Sequence, residues 1–128
     1  MRIQINVYSA PWSHQASIDA LTFAQQCLQQ GHQLARVFFF FDGVYHGLSN
    51  QSPASDEFNF LAQWQDIHNQ GVELLLCIAA SANRGVLNAE ETQRYMQSHP
   101  SSADFFQLTG LGQWATGFHD CDKLITFK

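Results

Sequence analysis

Short apolar runs alternate along the chain with longer stretches in which apolar residues recur at helical spacing. The short runs predict five strands, at residues 3–8, 34–41, 72–78, 105–109 and 123–127. The longer stretches predict helices over about 15–30, from Ser55 to Gly71, over 79–84, from Asn88 to before Pro100, and after Gly112. Strands that alternate with helices in this way predict right-handed crossovers and a parallel sheet covered on both faces.

The predicted fold class is therefore α/β. We expect a three-layer α/β/α sandwich with a mainly parallel sheet of about five strands, flavodoxin-like in style. The aromatic run from Leu34 to Phe41 predicts the central strand, buried on both faces. A chain of 128 residues is long enough for one core, so residues 1–128 are predicted to form a single domain. In such sheets the functional crevice lies beyond the carboxyl ends of the strands.

Composition narrows the classes of function. Charged residues make up only 13% of the chain against 45% apolar residues, so part of the surface is expected to be covered by partner subunits. The formal net charge of −5 argues against direct nucleic-acid binding, which needs basic side chains to neutralise phosphates. No apolar run reaches the roughly 18 residues of a membrane span, and the polar N-terminus is unlike a signal peptide. We therefore expect a cytoplasmic protein with no membrane partner.

The candidate nucleophile is Cys77, which ends the third predicted strand immediately before a short helix. At that position it should lie at the carboxyl edge of the sheet, exposed and stabilised as a thiolate by unpaired backbone N–H groups. The alternative is that Cys77 is one more small apolar core residue. Cys27 lies on the apolar stripe of the first helix and Cys121 precedes the last strand, so both belong at the opposite, amino edge. Neither should reach Cys77, and exchange would have to occur with a thiol of another protein.

Other polar side chains are expected near Cys77 because their loops end at the same edge of the sheet. These possible crevice neighbours are His14, Asp42, His46 and Arg84, of which Arg84 would help to hold an anionic persulfide. The six histidines show no zinc-binding spacing, and His119-Asp120-Cys121 is interpreted as a turn before the last strand. Gly110-Leu111-Gly112 lacks the remaining features of a dinucleotide-binding motif. We therefore expect neither a metal nor a cofactor.

Several segments resemble the DsrE/TusD family of sulfurtransferases. The stretch from Leu74 to Val86 resembles the family's segment around the active cysteine, a hydrophobic strand that ends in cysteine and is followed by alanines and Arg-Gly-Val. The segments 37–45, 52–58 and 121–127 resemble other family segments in the same order, so the similarity extends over nearly the whole chain.

The resemblance implies a DsrE-like fold and a sulfur-relay role, with Cys77 as the persulfide carrier. It also implies a heterohexamer with TusB-like and TusC-like subunits, a TusA-like sulfur donor and a TusE-like acceptor, leading to 2-thiouridine at the wobble position of transfer RNA. Three alternatives remain open at this point. They are a DsrE-type sulfur carrier in dissimilatory sulfur oxidation, a non-catalytic scaffold subunit, and a small nucleotide- or flavin-binding module.

Overall fold

A computed structural model describes residues 1–128 as five strands, five α-helices and one 3-10 helix. The strands are β1 (Arg2–Val7), β2 (Gln33–Phe39), β3 (Glu73–Cys77), β4 (Gln107–Thr109) and β5 (Lys123–Phe127). The α-helices are α1 (Gln15–Gln29), α2 (Phe60–Asn69), α3 (Ile78–Asn83), α4 (Ala89–Arg94) and α5 (Leu111–Asp120). The 3-10 helix spans Phe41–Gly47, between β2 and α2. No helix has the length and apolar character needed to cross a membrane.

All strand pairs are parallel, and the strand order is β4-β3-β2-β1-β5. The prediction that the second strand is central is confirmed, because β2 is third of five. The order differs from the flavodoxin arrangement 2-1-3-4-5. The chain adds strands in one direction from β1 to β4 and then crosses back to place β5 beside β1. The predicted three-layer α/β sandwich is confirmed, with its own strand order.

The two faces of the sheet are covered differently. On one face, α1 and α2 bury side chains such as Val7, Phe39 and Leu76, which the strand register aligns across β1, β2 and β3. On the other face, α5 packs on β1 and β5, where the buried Gln4 donates to the Trp114 carbonyl at 3.1 Å. Side chains alternate along a strand, so Cys77 points to the face opposite Leu76, the α5 face.

Local caps explain where the helices differ from the predicted bounds. The second helix begins at Phe60 and not at Ser55, because the Asn59 side chain caps it by accepting from Ala62 N at 3.0 Å. The helix after Asn88 ends at Arg94, and Met96 follows with φ +55°, outside helical space. The 3-10 helix was not predicted: the second strand was expected to continue to Phe41, with a loop from Asp42, but β2 ends at Phe39 and the 3-10 helix begins at Phe41.

Candidate active site

Cys77 is the last residue of β3 and the N-cap residue of α3. Its position at the carboxyl edge of the sheet agrees with the prediction from the sequence. The run Leu74–Leu76 is buried on both faces of the sheet. The helix α3 begins at Ile78, directly after β3, with no loop between the two elements. The first N–H groups of α3 lack intrahelical acceptors, and the Cys77 side chain makes no capping hydrogen bond to them.

A pocket of about 450 Å³ opens at Cys77. Its walls come from the end of β2, from α3 and from the start of α5. The lining residues are Phe40, Phe41, Cys77, Ile78, Ala79, Ala80, Asn83, Arg84, Gly110 and Leu111. Arg84 is the single charged residue among them, so the pocket is an apolar cavity with one cation at its wall.

The predicted exposure of Cys77 is wrong. Only 3% of the residue is exposed, and it belongs to the apolar core cluster as well as to the pocket. Phe40 and Leu111, from segments distant in the chain, line the same pocket. Any group that reacts with the sulfur must therefore enter the pocket, since the thiol does not project from the surface.

Arg84 and Asp42 come together, as expected of two crevice neighbours. Arg84 Nε donates to Asp42 Oδ1 at 3.0 Å, and Arg84 Nη1 donates to the Ala80 carbonyl at 3.1 Å. The Asp42 side chain is 59% exposed and that of Arg84 24%. Ion pairs this exposed contribute little to stability. The pair's significance is therefore that it places a positive charge at the pocket wall.

A close approach of the backbone positions Asp42 and its neighbour Phe41. At Gly43 a Cβ atom would meet the Val7 carbonyl group, so only glycine lets the 3-10 helix lie directly on the end of β1. Phe41 has φ +52°, a left-handed conformation that bulky residues rarely adopt. Its ring packs edge-on against Phe40 and Tyr8 at centroid distances of 4.2 and 5.3 Å. Phe40 and Phe41 were not among the pocket residues expected from the sequence. The dipeptide Asp42-Gly43, which indicates a tight turn beside them, was the one available signal.

His46 does not line the pocket, contrary to expectation. It is fully buried on the α2 face of the sheet, and its ring packs against Phe39 and Trp64. Its Nδ1 accepts from Trp64 Nε1 at 3.1 Å, while Nε2 lies 3.1 Å from the Ser9 carbonyl. Burial lowers the pKa of His46 to about 3. His46 is therefore a neutral core residue on the far side of the sheet from Cys77.

His14 does not line the pocket either. It is the exposed N-cap residue of α1, and its side chain makes no capping hydrogen bond. The loop after β1 does end at the carboxyl edge as predicted, but α1 covers the face of the sheet away from Cys77. Of the four expected neighbours, only Arg84 and Asp42 belong to the region of the pocket.

The other two thiols lie at the amino edge of the sheet, as the sequence predicts. Cys27 is buried near Ile3, and burial raises the pKa of its thiol. Cys121 lies 3.4 Å from Asp120 Oδ1, and the pKa of its thiol is raised chiefly by burial and then by that carboxylate. Both thiols favour the protonated form, which is the less nucleophilic one.

Asp120, interpreted from the sequence as part of a turn, ends α5 and binds Arg36. Arg36 is 4% exposed, and its Nη1 and Nη2 donate to the two carboxylate oxygens at 3.0 and 2.6 Å. The hydrogen bonds from Arg36 hold the pKa of Asp120 well below its usual range. The ion pair between Arg36 and Asp120 joins the end of α5 to β2. No group of three His, Cys, Asp or Glu side chains is arranged to hold a metal ion.

Fold and site together define a class: a parallel α/β sandwich with one cysteine at the floor of an apolar pocket at the carboxyl edge of the sheet. Comparison with known proteins gives the family. Residues 1–127 match the model of the DsrE/DsrF-like family. The YchN protein from E. coli has the same fold, with a TM-score of 0.81 at 23% identity over 99% of both chains.

Closer relatives in sequence carry a more specific name. The chain is 39% identical to Sulfurtransferase TusD of Enterobacter sp. (strain 638), covering 99% of this chain and 100% of that protein. It is 38% identical, with the same coverage, to Sulfurtransferase TusD of Klebsiella pneumoniae (strain 342). The chain belongs to the DsrE/DsrF-like family, and it is a sulfurtransferase.

Proposed function

We propose that this sulfurtransferase carries sulfur as a persulfide on Cys77 within a sulfur relay. The observation that carries the proposal is the position of Cys77. Cys77 lines a pocket whose one charged lining residue is a cation, Arg84. A persulfide is more acidic than a thiol and is anionic near neutral pH, so an apolar pocket with a guanidinium at its wall suits it. Asp42 orients that guanidinium.

The chemistry is a thiol exchange that needs no external oxidant. The Cys77 thiolate attacks the outer sulfur of a donor persulfide, and a new S–S bond forms as the donor's S–S bond breaks. The donor leaves as a thiolate, and Cys77 retains the outer sulfur. In the second half, an acceptor thiolate attacks that outer sulfur, and Cys77 is released as a thiolate.

Transfer within the chain is disfavoured by distance. Cys27 and Cys121 lie at the amino edge, whereas Cys77 ends β3 at the carboxyl edge. A strand of this length separates the two edges by roughly 16 Å, and a disulfide needs Cα atoms within about 7 Å. The donor and the acceptor are therefore thiols on other proteins.

The proposed relay is the one that the TusD name of the relatives suggests. In it the chain forms a cytoplasmic heterohexamer with TusB-like and TusC-like subunits, accepts sulfur from a TusA-like donor and passes it to a TusE-like acceptor, toward 2-thiouridine in transfer RNA. Large exposed apolar side chains, among them Leu111 at 50% and Phe118 at 62%, support association with other subunits.

The second candidate function is that of a non-catalytic scaffold subunit, in which Cys77 only packs in the core. The 3% exposure of Cys77 favours it. The two candidates differ in whether sulfur ever resides on this chain.

To distinguish the persulfide carrier from the scaffold subunit, radiolabelled donor persulfide is added to the wild type and to Cys77→Ser. Cys27→Ser and Cys121→Ser serve as matched controls, because each removes one thiol at the other edge of the sheet. We expect label on the wild type and on both controls, and a loss of more than about 100-fold for Cys77→Ser, because the nucleophile is removed. No label on the wild type while the donor stays loaded would favour the scaffold role, and undiminished labelling of Cys77→Ser would contradict Cys77 as the carrier.

A further inference from the structure

Arg84 has unused hydrogen-bonding capacity at the pocket wall. Its Nε donates to Asp42 and its Nη1 to the Ala80 carbonyl, but its Nη2 makes no hydrogen bond to the protein. A guanidinium carries five N–H donors and binds anions best with two of its nitrogens together. Here Nε and Nη1 donate to the chain, and the two N–H groups of Nη2 remain available to a ligand.

The end of α3 explains why the guanidinium is held over the pocket. The backbone N–H of Arg84 bonds to the Ser81 carbonyl, three residues back, so α3 tightens at its end. The Ala80 carbonyl, four residues back, accepts instead from the Arg84 side chain at 3.1 Å. That bond folds the side chain back along α3, toward Cys77.

Asp42 is an incomplete partner for Arg84. It accepts through Oδ1 alone, from Nε alone, and it does not line the pocket. The Asp42 side chain is mostly exposed, so water can readily replace Arg84 as its partner. A second anion in the pocket would therefore share Arg84 with Asp42, and the two anions would weaken each other's binding.

We infer that the Asp42–Arg84 pair tunes the affinity of the Cys77 pocket for anionic sulfur, with Arg84 as the anion-binding group and Asp42 as its resident competitor. The inference deepens the proposed function and rests on it for the identity of the anion, the persulfide on Cys77. Asp42 offsets part of the attraction of Arg84, so that the sulfur is held and can still be released. Asp42 is thus a positioning residue, and it does not touch the sulfur.

The test compares two alkylating probes of similar size, anionic iodoacetate and neutral iodoacetamide. Their reaction with Cys77 is followed on the full-length protein by mass-spectrometric peptide mapping. Both probes need the same thiolate and the same access, so the ratio of their rate constants reports the local electrostatic potential. We expect Asp42→Asn to raise the iodoacetate/iodoacetamide ratio by about threefold or more, and Arg84→Gln to lower it by a similar factor.

Four further variants make the result specific. Asp66→Asn removes the same charge from an exposed position of α2, on the other face of the sheet. Because this charge is remote from Cys77 and screened by solvent, the ratio should stay within about 1.5-fold of the wild type. Asp42→Glu and Arg84→Lys keep the charges and should stay within about twofold of the wild type. In the double variant Asp42→Asn/Arg84→Gln, the gain from Asp42→Asn should disappear.

An Asp42→Asn ratio equal to that of Asp66→Asn would overturn the inference, as would a gain that persists without Arg84. The readout does not depend on sulfur transfer. If Cys77 never accepted sulfur while the ratio changed as expected, the proposed function would fail. The roles of Arg84 in attracting anions to the pocket and of Asp42 in opposing that attraction would stand.

Discussion

His46 is a buried titratable residue that the fold keeps neutral. Both ring nitrogens are engaged, one by the Trp64 indole and the other near the Ser9 carbonyl and the Ser17 hydroxyl, at 3.1 to 3.2 Å. A protonated ring could not accept the indole hydrogen bond, and its charge would be desolvated. The pKa of His46 is lowered to about 3, compared with about 6.5 in an unfolded chain.

This shift predicts how stability depends on pH. The unfolded chain takes up a proton on His46 below about pH 6.5 and the folded chain does not, so folding stability falls as the pH decreases from 6.5 toward 3. The slope from this residue is at most about 1.4 kcal/mol per pH unit. Urea unfolding of His46→Gln, whose amide can donate and accept at the same site, should lack this component. Parallel pH profiles for the two proteins would contradict the assignment.

The helix α5 is attached to the sheet through polar contacts. Gly117 lies against Gln4, whose Cδ would be 2.7 Å from a Cβ atom at position 117. Gln4 cannot move aside easily, because it is buried and bonds Arg36, Asn6 and the Trp114 carbonyl. Gly112, near the start of the same helix, has open space where a Cβ atom would be.

The two glycines of α5 should therefore respond oppositely to alanine. Alanine is favoured over glycine in a helix by about 1 kcal/mol. At Gly117 overpacking costs about 1–3 kcal/mol and outweighs that gain, so Gly117→Ala should destabilise the protein by about 1 kcal/mol. Gly112→Ala should be neutral or stabilising by up to about 1 kcal/mol. Chemical denaturation measures both, and a stabilised Gly117→Ala would mean that α5 does not lie this close to the sheet.

At the level of elements, the sequence predicts what depends on local pattern. The buried strands and the apolar face of α1 follow from periodicity, and Cys77 at the end of β3 follows from the parallel α/β arrangement. The sequence did not indicate the 3-10 helix, because it depends on Gly43 lying against the end of β1. Phe40 and Leu111, which lie far from Cys77 in the chain, line the same pocket, and the sequence did not indicate this either. Such contacts between distant segments leave no periodic signal.

In the molecule as a whole, the sheet places two of the three thiols at one edge and the third at the other. The two thiols at the amino edge have raised pKa values, and Arg36 and Asp120 lie beside one of them, Cys121. The third, Cys77, lies at the carboxyl edge in a pocket with one cation. Under the proposed function, Cys77 is the one thiol that exchanges sulfur, and an incoming thiol must enter its pocket. This arrangement is consistent with a relay between proteins.

The most direct measurement is the intact mass of the wild-type protein after incubation with a donor persulfide, followed by peptide mapping without reductant. We expect a gain of one sulfur atom, located on Cys77 and removed by a reductant. Sulfur found on Cys27 or Cys121, or no gain while the donor remains loaded, would contradict it.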